Sequence, residues 1–233
     1  MVLIYFIIIA CLCYIPQMIV KSKYKKYKSI PNSSGMTGAQ MAQELLNRKG
    51  IQGVAVTCIG DVESSYDGKS RKTQNSEELS DYYDPSERAI CLSREVYNVP
   101  SVAAIAIAAH ETGHAVQHAE ADAFFSVRSA IFPIASFCAQ WWIIPFIIGG
   151  LLEIGGLCTI AAFLYIGTII FQLITLPVEF GASARAREMM YANGLMNSQD
   201  EKGVKSVLSA AAFTYVAAAM ASIIYFLVHF RKR

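Results

Sequence analysis

Between Ile131 and Val178 the chain carries a single charged residue, Glu153. One bilayer crossing takes about 20 apolar residues, so this stretch is too long for one span and suits two. Gly149-Gly150 and Gly155-Gly156 bracket Glu153, which predicts a tight turn between them. Two more apolar runs lie outside it: Met1 to Val20, and about Val207 to Phe230 before Arg231-Lys232-Arg233. In lipid every backbone polar group needs a partner within the chain, so runs of this kind fold as helices. Four spans and a mainly α membrane protein are therefore expected. Charged residues make up only 16% of the chain, against about 25% in soluble domains. The net charge of +2 gives no reason to expect a nucleic-acid partner.

The first run reads as an anchor. No basic segment precedes it and no A-x-A-like cleavage site follows, as a signal peptide would require. The lysine-rich stretch Lys21–Lys28 directly after it marks that flank as cytoplasmic. Two spans between His114 and Glu179 return the chain to its starting side, where Arg185 and Arg187 follow. A fourth crossing would put Arg231-Lys232-Arg233 outside, against the same charge rule, so whether the last segment crosses stays open.

The polar part, 29 to about 128, has its own pattern. Thr37-Gly-Ala-Gln40 reads as a capping box opening a helix through Arg48, with Gly50 closing it. Val54–Ile59 and Arg88–Leu92 read as strands, and Asp61–Asp84 as loop or hairpin. Ser93 suits a helix N-cap, and Pro100 the first turn of a further helix. From Val102 to Ala109 that helix is apolar on every side, so it is expected to be buried. Six cysteines form no C-x-x-C and read as small buried hydrophobes, with a Cys58–Cys91 bridge left open.

The chemistry lies in His110-Glu-Thr-Gly-His114. Residues i and i+4 share one helix face, so both imidazoles can converge on one metal ion. A carboxylate beside them, Glu111, can take a proton from activated water and pass it to the leaving amine. This is the zincin arrangement. A catalytic zinc normally has three protein ligands and one open position. Candidates for the third are His118, Glu120, Asp122, Glu179 and Glu188. The return of the chain through two spans favours Glu179, which follows Pro177. A retained base such as Glu111 argues against the main rival, a membrane scaffold with a structural metal. A second rival, hydrolysis of a lipid ester, would use the same parts.

His110-Glu-Thr-Gly-His-Ala-Val-Gln-His118, Leu176-Pro-Val-Glu-Phe180 and Tyr83-Asp-Pro85 together resemble the YugP-type bacterial membrane zinc metallopeptidases. More distantly they resemble the HtpX-like gluzincins. The resemblance covers nearly the whole chain. It implies zinc held by His110, His114 and Glu179, with Glu111 as general base. It implies a multi-pass protein of the bacterial plasma membrane with a small α+β gluzincin-like catalytic part. The catalytic site is expected on or near the cytoplasmic side. The expected reaction is endopeptidase cleavage of membrane or unfolded polypeptides, with membrane lipid as the other partner. On this reading 1–20 is the anchor and 21–128 the catalytic part. Residues 129–178 form the transmembrane hairpin, 179–203 the third-ligand helix and 204–233 the last transmembrane helix. Where gluzincins carry an Asp one turn after the ligand Glu, this chain has Ser183. The Arg88–Leu92 strand stands where gluzincins have a substrate-pairing edge strand. Arg185, Arg187, Tyr191 and His118 are candidates for oxyanion stabilisation.

Overall fold

The computed structural model describes residues 2–59 and 81–230. The expected loop at 61–80 and the terminal Arg231-Lys232-Arg233 lie outside the described residues. The chain divides into two compact units, and the long helices α1 (Val2–Lys28), α7 (Gly155–Ala192) and α8 (Ser198–His229) contribute to both.

The apolar unit takes in the described residues of Met1–Lys21, Ala123–Phe180 and Ala210–Arg233. Among the described residues, four helical stretches are long and apolar enough to cross a membrane: Ile7–Lys28, Ala123–Leu151, Gly155–Ala192 and Ser198–His229. Phe163 and Ile134 are 71% and 68% exposed, which suits side chains that meet acyl chains rather than water. The second stretch is two helices, α5 (Ala123–Trp141) and α6 (Ile143–Leu151). They break at Trp142 because Pro145 has no N–H to offer the carbonyl of Trp141. Trp142 packs edge-on against Tyr165 at 4.6 Å between ring centroids. The turn between α6 and α7 falls where the glycine pairs predict, but Glu153 itself takes the left-handed conformation, at φ 55°. Pro177 does not end α7, which runs unbroken through Glu179 and Ser183 to Ala192.

The polar unit takes in Ser22–Asp122 and Gly181–Ser209. Helix α2 (Gly38–Arg48) opens on the expected capping box: Thr37 accepts from the Gln40 N–H, and the Gln40 side chain accepts from that of Thr37. Pro100 stands just outside its helix, because Ser101 is the N-cap and accepts from the Ala104 N–H. Helix α4 (Val102–Ala119) is buried on two sides by different partners. Ile105, Ala106 and Ala109 join Met41, Leu45, Met190 and Val204 in one cluster. Ala104, Ala108 and Ala115 join Leu46, Ile90, Leu92 and Val96 in the other. Alanine's small side chain lets neighbours approach from both sides, which explains a helix apolar all round.

Strands β1 (Ala55–Cys58), β2 (Tyr82–Asp84) and β3 (Ala89–Leu92) form one sheet in the order β1-β3-β2. The β1–β3 pair is parallel and the β2–β3 pair antiparallel. Residues 82–84 are strand and form a hairpin with β3, in line with the hairpin alternative for the end of that segment. One expectation is corrected: β3 is central rather than an edge, since both its sides are taken. No periodicity is readable in three residues, and pairing with β3 across the turn at 85–88 decides their state. The register sets Thr57 opposite Cys91. Side chains alternate along a strand, so Cys58 faces away from Cys91 and neither is in a disulfide.

Two glycines set how closely α4 meets α7. A Cβ on Gly113 would lie 2.5 Å from the carbonyl oxygen of Ala182. One on Gly181 would lie 2.8 Å from Nε2 of Gln117. Gly113→Ala therefore forces backbone apart rather than bending a side chain. Its expected cost is about 1–3 kcal/mol, read as a lower melting temperature in detergent. Zinc uptake should weaken with it, and a variant as stable and as metal-competent as wild type would rule out this close packing.

Candidate metal centre

Helix α4 carries His110, Glu111 and His114 from its midpoint onward. Their backbone is held by the alanine-lined packing on both sides, so the side chains stand on a rigid element. The two imidazoles are edge to face, with ring centroids 4.8 Å apart. Glu111 and His114 are buried, and His110 is partly accessible. Polar groups in such a place need partners, because desolvation without them costs several kcal/mol.

Each histidine has an orienting neighbour. Nδ1 of His114 lies 2.9 Å from Oε1 of Gln117. An amide oxygen only accepts, so His114 donates from Nδ1 and keeps the lone pair of Nε2 for a metal. Nδ1 of His110 lies 3.1 Å from the hydroxyl of Ser183 on α7. Glu179, one turn before Ser183 on the same helix, is buried. Ligand atoms of His110, His114 and Glu179 all lie within 4.8 Å of one another. Two neutral imidazoles and one carboxylate fit a zinc ion, and three protein groups leave a position open for chemistry. Arg128 of α5 stands 3.9 Å from Oε1 of Glu179, and a guanidinium there offsets part of the cost of burying the carboxylate.

The other expected candidates go elsewhere. His118 meets the phenol of Tyr83 at 2.8 Å through Nδ1. Burial pushes the Tyr83 phenol up from its ordinary pKa, with Arg88 nearby pulling the other way. Asp122 and Glu120 pair with Arg185 at 2.9 and 3.4 Å. That engages Arg185, one of the candidate oxyanion residues, in a structural ion pair. Glu188 and Tyr191 are exposed. Arg187 has a buried Nε with no hydrogen-bond partner among the described residues.

Sequence reasoning missed Gln117 and Arg128. Gln117 is three residues past His114, the spacing at which one helix side chain reaches another, so it was findable. Arg128 carried no comparable signal, because its relation to Glu179 arises from packing between α5 and α7.

No solved structure matches the chain. A protein of Bacillus subtilis (strain 168), "Putative membrane protease YugP", is 40% identical over 207 residues, which cover 89% of this chain and 85% of that one. The family model described as "Putative neutral zinc metallopeptidase" matches residues 2–78 and 72–231. With that match running from the first membrane helix to the end of the last, the chain belongs to this family of zinc metallopeptidases.

Proposed function

We propose that this protein is a membrane-bound endopeptidase in which His110, His114 and Glu179 hold zinc and Glu111 carries the proton. The observation that carries the reading is the convergence of those three ligand atoms within 4.8 Å, with a buried carboxylate next in sequence to one of them. Zinc, when bound, polarises the scissile carbonyl and lowers the pKa of water toward ~7.

The rest is the work of this chain's own residues. Gln117 and Ser183 hold the Nδ1 protons of His114 and His110, which fixes both rings in the tautomer that presents Nε2. Ser183 does this without the charge an aspartate would bring, so it raises imidazole basicity less. Glu111 takes a proton from the attacking water and returns it to the leaving amine nitrogen. Its burial keeps competing water away and strengthens each electrostatic contact. Substrates are membrane or unfolded polypeptides, a reading supported by α7, which carries Glu179 and Ser183 on the same helix as a membrane-length apolar run. The lysine-rich end of α1 belongs to the same polar unit as His110 and His114, which favours a cytoplasmic-side site.

Three variants test the reading on zinc-loaded protein in detergent. Elemental analysis of wild type should give one zinc per chain, and Glu179→Ala should lose it or hold it much more weakly. Full retention in that variant would remove Glu179 from the ligand set. Glu111→Gln should keep its zinc and lose about 10²–10⁴-fold in peptide cleavage, the size of a general-base contribution. Cleavage at wild-type rate would show that another group moves the proton. Ser183→Ala should weaken zinc about 10–100-fold by competition with a chelator, as removal of a group orienting a ligand histidine does. Unchanged affinity would make Ser183 a bystander.

A further inference from the structure

Beside the metal-bearing helix, within the polar unit, lies a cavity of about 290 Å³. One liquid water takes about 30 Å³, so the space holds a polar side chain with several waters. Ile51, Val54 and Ala119 supply apolar wall, and Tyr83, Arg88 and His118 supply polar groups. His118 stands one turn beyond His114 on α4, so the cavity adjoins the proposed catalytic face.

Arg88 is the unusual member. It takes φ 49°, a left-handed conformation that side-chain-bearing residues adopt at a cost and glycine or asparagine adopts readily. It ends the turn between β2 and β3, where Asp84 accepts hydrogen bonds from the Ser86 and Glu87 N–H groups. Its carbonyl accepts from the Ala55 N–H at 2.9 Å, so the strained backbone is held from both sides. Among the described residues its guanidinium makes no hydrogen bond or ion pair. Arg88 is exposed and lines the cavity, so its guanidinium is accessible to a ligand, and backbone strain of this kind clusters at ligand clamps. The neighbouring charges are Asp84, already engaged by the turn, and Glu87, which is exposed. The Tyr83 hydroxyl is fixed by His118 on the same cavity wall.

We propose that this cavity, through Arg88 and Tyr83, binds a carboxylate of the polypeptide substrate and so selects acidic residues near the cleaved bond. The selection rests on the endopeptidase reading above, whereas the binding site stands without it. Two oxygens of a carboxylate match the planar fork of a guanidinium, and the apolar wall holds the methylene stem.

The test uses the full-length, zinc-loaded Glu111→Gln protein in detergent, so that binding is read without cleavage. Fluorescently labelled decapeptides of alanine, glycine and serine carry one central Glu or Gln, each with a free or amidated C-terminus. Fluorescence anisotropy should show the Glu peptide binding about 10-fold more tightly than its Gln twin, as a charge-assisted pair allows. Adding Arg88→Glu should abolish that preference, while Arg88→Lys should keep part of it. Matching melting temperatures guard against misfolding. A preference that follows the free C-terminus would place the chain end in the cavity, also as a carboxylate. Equal binding of all four peptides, or a preference that survives Arg88→Glu, would overturn the proposal. Wild type that binds acidic peptides selectively yet cuts no peptide would instead sink the endopeptidase reading and leave the binding site standing.

Discussion

The close contact of α4 with α7 at Gly113 and Ala182 underlies the rest of this structure. A hydrogen in place of a methyl group at Gly113 lets backbone approach backbone. Only then does Ser183 reach His110. The alanines of α4 serve the same end on its other faces, because two clusters of larger side chains close on it without displacing it. A helix so confined cannot rotate or shift, and catalytic groups need placement within a fraction of an ångström. The apolar character of α4 is thus the mechanical support of the polar groups it carries.

Those polar groups are costly where they are. Glu111, His114 and Glu179 are buried, and each would destabilise the fold if left alone. The chain offsets the cost with local partners: Gln117 for His114, Ser183 for His110 and Arg128 for Glu179. On the proposed reading, a metal ion adds the positive charge that two imidazoles and a carboxylate would hold. The same arrangement that makes burial tolerable sets the tautomers, so stability and chemistry draw on one set of contacts.

Helix α7 contributes residues to both units. Helix α7 has 38 residues, which at 1.5 Å each span about 57 Å, while the hydrocarbon core of a bilayer is about 30 Å thick. One continuous rod therefore serves as a membrane span and as the carrier of Glu179 and Ser183. Its polar end, from Gly181 on, belongs to the unit that holds α4. Continuity through Pro177 matters here. A break would uncouple the register of Glu179 from the span before it. The residue types also divide along the rod: large apolar side chains such as Phe163 and Ile170 are exposed early, and charges appear only from Glu179 onward.

Much of this was written locally in the chain. Apolar runs of bilayer length, the Thr37 capping box and the H-E-x-x-H spacing all depend on residues within a few positions of one another, where helix geometry alone decides which side chains meet. Glu179 and Ser183 share a face for the same reason. What the sequence could not determine was everything that depends on partners distant along the chain. Strand β3 is central because β1, from far earlier in the chain, pairs with it on the side that β2 leaves open. Arg128 meets Glu179 across two helices, and Tyr83 meets His118 from strand to helix. Glu153, not a neighbouring glycine, took the left-handed turn, because the junction between α6 and α7 chose the residue that falls at the bend. Local periodicity specifies elements. The free energy of packing them, which depends on shape and charge brought together from afar, chose the sheet order, the partners of the buried charges and the cavity beside the metal helix.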